Sequence, residues 1–98
     1  SVANISTSAG MEDYNSFGPR SAAKARRALE LCRSVVAIEL LAGAEALEHH
    51  RPLRSGPVVE AAHARIRSGV SRLVEDRAPA PDIAEIERLI ERGEIKAD

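Results

Sequence analysis

A chain of 98 residues with 14 basic and 15 acidic side chains and a net charge of -1 has no global field to draw it to nucleic acid or an anionic membrane. Hydrophobic residues make up 44% but aromatics only 2%, so a core has to be built from Ala, Val, Leu and Ile rather than around large anchors. The length allows one domain at most, no apolar run approaches the roughly 18 residues of a membrane span, and the polar first residues lack the pattern of a signal peptide.

Residues 1–18 are rich in Ser, Ala, Asn and Gly without helical period and read as a loop lead-in. A long helix is expected over 19–50, opening on Pro19, whose fixed φ suits a first turn. Its stripe of Leu29, Cys32, Val36, Leu40, Gly43 and Leu47 steps by three and four. About thirty residues make a helix roughly 45 Å long, more than a small globule spans, and VVAIELLAGA is apolar on more than one face. A partner is therefore expected to cover it. Cys32, alone and on this stripe, reads as a small core hydrophobe in a reducing, cytoplasmic setting.

Pro52 and Gly56-Pro57 break the helical pattern. A second helix is expected from Pro57 with Val59, Ala62, Ile66, Val70 and Leu73 inward and Arg65, Arg67 and Arg72 mostly outward. After APAPD, Asp82 with Glu85 three residues on has capping-box spacing for a third helix, with Ile83, Ile86 and Ile90 as its apolar edge and Gly93 as its stop. The expected class is all-α: a long bundle helix, then two shorter helices in a tail over 57–98, all one piece of a larger domain.

The chemical inventory is short. His49 and His50, adjacent in sequence, point to different helix faces and suit a helix C-terminus better than a metal. Lys24, Arg26 and Arg27 lack interleaved aromatics and read as a solvated face. Glu12-Asp13, a carboxylate pair in a loop before the long helix, supports two readings: a cap for the helix start, or acids that share a functional task.

Over essentially all 98 residues the chain resembles the C-terminal part of the histidine and aromatic amino acid ammonia-lyases. The matching strings are Met11-Glu12-Asp13-Tyr14-Asn15-Ser16 against a Gln-Glu-Asp-His-Val-Ser type motif, VAIELLAGAEAL at 36–47, and EDRAPAPDI at 75–83. The resemblance implies elimination of ammonia from an L-amino acid, or an amino shift by a mutase, at a methylidene-imidazolone (MIO) formed from Ala-Ser-Gly. No Ala-Ser-Gly occurs in these residues. The MIO and the family's catalytic tyrosine are thus expected on a larger partner chain or missing segment, in a tetrameric helical-bundle assembly.

The resemblance carries one active-site acid to Glu12, as the catalytic and substrate-binding carboxylate. Tyr14 is expected to bind substrate, and Asp13 and Ser16 to be structural near the site. Histidine lyases carry Glu at the position of Glu12 where phenylalanine lyases carry Gln; a carboxylate can pair with an amine or imidazole, or take a proton, where an amide only hydrogen-bonds. Tyr14-Asn15 departs from His-Val, and NSFG at 15–18 is closer to plant phenylalanine lyases. The resemblance thus implies L-histidine or another aromatic L-amino acid as the expected substrate. A non-catalytic helical interaction protein descended from the family is the alternative.

Overall fold

Three helices, α1 (Gly18–Glu48), α2 (Pro57–Arg67) and α3 (Ala80–Glu91), make up the regular structure of a computed structural model that describes residues 18–96. The chain divides into two units, Ser1–Leu31 and Cys32–Asp98.

In the first unit the described residues are the helical stretch from Gly18 onward, exposed almost throughout. Arg26 and Arg27 both reach Glu30, at 3.6 and 3.4 Å. These are exposed pairs one turn apart, each worth a few tenths of a kcal/mol at about the scale of helix-surface pairs. The basic cluster is the solvated face its sequence suggested.

In the second unit the core forms where the rest of α1 meets α2 and α3. Ala37 and Ala44 from α1, Ile66 and Val70 from the α2 end, and Ile86 from α3 are buried together, with Leu40, Leu41, Ile83, Ile90 and Ile95 packed around them. Ala37 and Ala44 lie seven residues apart, two turns along one face, and their small side chains let the other helices approach closely. Leu89 is buried as well. The isoleucine edge of α3 packs as its spacing predicts, and Gly93 follows the helix end at φ +67°, a conformation that costs glycine little.

Several local expectations are corrected. Leu29, Cys32 and Val36 are exposed in this chain. Cys32 stands five residues from Ala37, about 140° around the helix, so it lies off the face that the chain itself covers. The helix expected through Leu73 ends at Arg67, where the Ser68 hydroxyl donates to the Arg65 carbonyl and Ser68-Gly69 offers poor helix formers. A Cβ at Gly69 would lie 2.9 Å from a Glu85 carboxylate oxygen, so the Glu85 side chain would have to shift to admit one. Val70 is nonetheless buried beyond the helix end, whereas Val59 and Leu73 are exposed.

The capping box is absent. α3 opens one turn before it was expected, with Pro79 at the N-cap and no side-chain cap. Asp82 instead accepts from Arg77 Nε at 2.9 Å, and Glu85 accepts from Arg88. Arg77 also donates to the carbonyls of Ser71 and Arg72, which ties the loop before α3 to its first turn.

Candidate functional site

The residues that the sequence marks for chemistry, Glu12, Asp13, Tyr14 and Ser16, lie outside the described residues. What the structure describes is the scaffold that follows them. That scaffold has two distinct surfaces in its second unit: a charged seam at the C-terminal end of α1, and an apolar face along the middle of the same helix.

The seam begins with Glu45 and Glu48, three residues apart and so on one side of α1. Glu45 Oε1 accepts from Arg67 Nη2 and from the backbone N–H of Leu73, both at 2.9 Å. Glu48 Oε1 faces His63 Nε2 at 2.8 Å and accepts from Arg67 Nε at 3.3 Å. A carboxylate only accepts, so the ring nitrogen facing it carries the hydrogen. Arg67 is the hub, and it also donates to the Val70 carbonyl at 3.4 Å. The arginine expected to point outward is instead largely buried against two acids.

These contacts set the charge of each acid. The Leu73 amide, together with Arg67, holds the Glu45 carboxyl below the ordinary carboxylate value against the opposing effect of desolvation. Desolvation is the largest single influence on Glu48 and pushes it up, but the hydrogen bonds and charges of Arg67 and His63 together bring it below the ordinary value. A second knot closes the turn after α1. Arg51 grips Glu60 through both terminal nitrogens, at 3.0 and 2.8 Å, while the Ser55 N–H donates at 2.9 Å. Arg51, then Ser55, hold the Glu60 carboxyl down at about 2, and Glu60 in turn raises the Arg51 guanidinium.

Every acid in these two knots is engaged by cations or backbone donors, so none is poised as a general base at neutral pH. The knots fasten α1, α2 and their connecting segments. Sequence reasoning passed over His63, Glu45, Glu48 and Glu60. The signal was present in the pairing of Glu45/Glu48 with His63/Arg67, two short helical spacings of opposite character that fit when the helices lie side by side. His49 and His50 sit exposed just past α1, and no cluster of metal-ligating side chains occurs among the described residues. No helix among them is long and apolar enough to cross a membrane.

The apolar face is the other surface. Val35, Val36 and Ile38 are all exposed. Between α1 and α2 runs a groove of about 260 Å³ walled by Leu40, Gly43 and Leu47 on one side and Val59, Ala62 and Ile66 on the other.

The aromatic amino acid lyase family matches residues 1–68, and the chain belongs to that family. Over 96 residues, 98% of its length, it is 46% identical to the histidine ammonia-lyase of Anaeromyxobacter dehalogenans (strain 2CP-C). It is 45% identical over 97 residues to the histidine ammonia-lyase of Symbiobacterium thermophilum, and 40% identical over 98 residues to that of Natranaerobius thermophilus. The chain spans 19% of the length of these relatives. No solved structure matches it significantly.

Proposed function

We propose that this chain supplies the C-terminal part of an ammonia-lyase acting on L-histidine or another aromatic L-amino acid, and that Glu12 is its contribution to the active site. The observation that carries the proposal is similarity to histidine ammonia-lyases running through nearly the whole chain, the Glu12 motif included. The exposed apolar middle of α1 adds support, because such a surface suits a helix enclosed by others.

The reaction breaks the Cα–N bond of the substrate and removes a proton from Cβ, leaving an unsaturated acid and ammonia. The 98 residues contain no Ala-Ser-Gly and do not form an MIO group. In this proposal that group, with the catalytic tyrosine, belongs to a larger chain or segment in a tetrameric, cytoplasmic assembly. Glu12 pairs with the substrate amine or imidazole and accepts a proton as the amine is made ready to leave. Tyr14 lines the substrate, while Asp13 and Ser16 hold the lead-in.

The test uses the assembly that contains this chain, checked by intact mass for the components present. Ammonia release is measured from L-histidine, L-tyrosine and L-phenylalanine. Glu12→Gln is expected to slow release by about 10²-fold, the lower end of what a positioned proton acceptor contributes. An unchanged rate removes Glu12 from the site; no release from any of the three removes the lyase reading and leaves a helical interaction protein.

A further inference from the structure

What holds the connection between α2 and α3 in place is not packing. Residues 68–79 run outside any helix, and residues 71–79 are all exposed. Leu73 and Val74 keep 46% and 85% of their surface in water, so burial of apolar side chains does not fasten this stretch. Val70, 1% exposed, is the last buried residue before α3, and Ile83 is the next to pack against the core.

Bonds from charged side chains to the backbone take the place of packing. Glu45 of α1 accepts from the Leu73 N–H at 2.9 Å. Arg77 folds back to donate to the carbonyls of Ser71 at 2.6 Å and Arg72 at 3.3 Å, and anchors itself on Asp82 of α3 at 2.9 Å. These side chains supply pairing that regular structure would otherwise give the backbone. Beneath the stretch lies a hollow of about 60 Å³ between Leu41 of α1, Leu73, Pro79 and Asp82, so contact on that side is incomplete. A segment with little buried surface and exposed backbone bonds opens at a lower free energy than the helices beside it.

We propose that residues 71–77 form a strap that opens as one piece over this hollow while α2 and α3 stay folded, with Glu45 and Arg77 as its two latches. Val70 and Ile83 are the fixed ends between which it swings. The latches are coupled through the backbone they share: once Arg77 releases the carbonyls of Ser71 and Arg72, the adjoining Leu73 N–H is carried off Glu45. Opening uncovers Leu41 and the first turn of α3. Nothing in this device depends on the lyase chemistry.

Amide hydrogen exchange of the protein, read residue by residue by NMR, tests the strap. In the parent the Leu73 amide is expected to be protected, but less than the amides inside α3 and the Val70 amide, which donates to the Ile66 carbonyl at 2.9 Å. Glu45→Ala is expected to lower Leu73 protection by about tenfold or more, as for a hydrogen bond to a charged group. Glu45→Gln keeps an acceptor oxygen and is expected to lose less. Arg77→Ala is the decisive variant. Arg77 and the Leu73 amide are both donors and make no bond to each other, yet Arg77→Ala is expected to lower Leu73 protection by about the same factor as Glu45→Ala, with Val70 and the amides of α3 at parent values. An unchanged Leu73 amide in Arg77→Ala overturns the strap and leaves two separate bonds. A parent Leu73 amide that exchanges freely, or only as slowly as the amides of α3, also overturns it, and so does a loss that spreads to Val70 and α3. Equal losses in Glu45→Gln and Glu45→Ala remove Glu45 as a hydrogen-bonded latch.

Discussion

Two adjacent lengths of α1 solve opposite problems. At its C-terminal end, Glu45 and Glu48 project acids that the chain satisfies by itself, with Arg67, His63 and the Leu73 amide. In its middle, Val35, Val36 and Ile38 project apolar surface that the chain leaves uncovered. Only one narrow face, marked by Ala37 and Ala44, is buried along both lengths. The end of the helix therefore holds this segment together, while the middle leaves its apolar surface exposed in this chain. Substitutions at the end should be felt in the chain's own stability, and substitutions in the middle should not.

The sharpest break of that comparison comes from below both regions, in the core they share. Ile86 is 0% exposed and packs with Ala37, Ala44, Ile66 and Val70. Ile86→Ala is expected to cost about 2–5 kcal/mol through lost burial and the cavity left behind, a large part of the roughly 5–15 kcal/mol available to a small domain. Urea denaturation measures it. A loss below about 1 kcal/mol would mean that the packing of α3 on α1 contributes little.

Arg67→Ala attacks the seam directly. It strips a shared donor from two acids at the α1–α2 junction, and the melting temperature of the chain is expected to fall. Because Arg67 helps hold both carboxyls down, carboxyl-carbon shifts in a pH titration should show Glu45 and Glu48 titrating at higher pH than in the parent chain. An unmoved Glu48 would transfer the credit to His63.

The knot at Arg51 and Glu60 gives a smaller, pH-dependent effect, since both side chains keep about a fifth of their surface, 20% and 21%, in water. Glu60 has a folded value of about 2 against an ordinary 4.5. A depressed carboxyl stabilises fully above its unfolded value, and that contribution fades as pH falls from 4.5 to about 2. Melting temperature should drop across that window, and Glu60→Gln should lie below the parent at neutral pH and converge with it in acid. Parallel curves would assign the acid loss to other carboxylates.

The sequence carried the order of elements well because each boundary has a local chemical cause: Pro19 at the start of α1, Pro52 and Gly56-Pro57 at the break, Gly93 at the end of α3. The isoleucines of α3 were readable for the same reason, as one periodic edge on a helix with a polar back. α1 was harder. A helix apolar on several sides offers several candidate stripes, and periodicity alone selected the one through Leu29, Cys32 and Val36 over the narrower row of alanines that the chain buries. Arg67 and Asp82 were misassigned because their partners, Glu45 and Arg77, come from other segments, and a tertiary ion pair leaves no periodic trace. Of the candidate site, Glu12 is assigned through resemblance alone, since a paired acid before a helix is also an ordinary cap.

The smallest expected effect is the one that separates the two lengths of α1 most cleanly. Ile38 is 49% exposed and stands one residue from the buried Ala37, about 100° around the helix. Ile38→Gln keeps a good helix former and removes apolar surface that already faces water, so the isolated chain should change by no more than about 0.5 kcal/mol. In the full assembly the same substitution sets an amide where apolar cover is expected, and dissociation on dilution should increase. If instead Ile38→Gln destabilises the isolated chain as strongly as Arg67→Ala, the middle of α1 is covered by its own segment in solution, and the contrast between the two lengths of the helix fails.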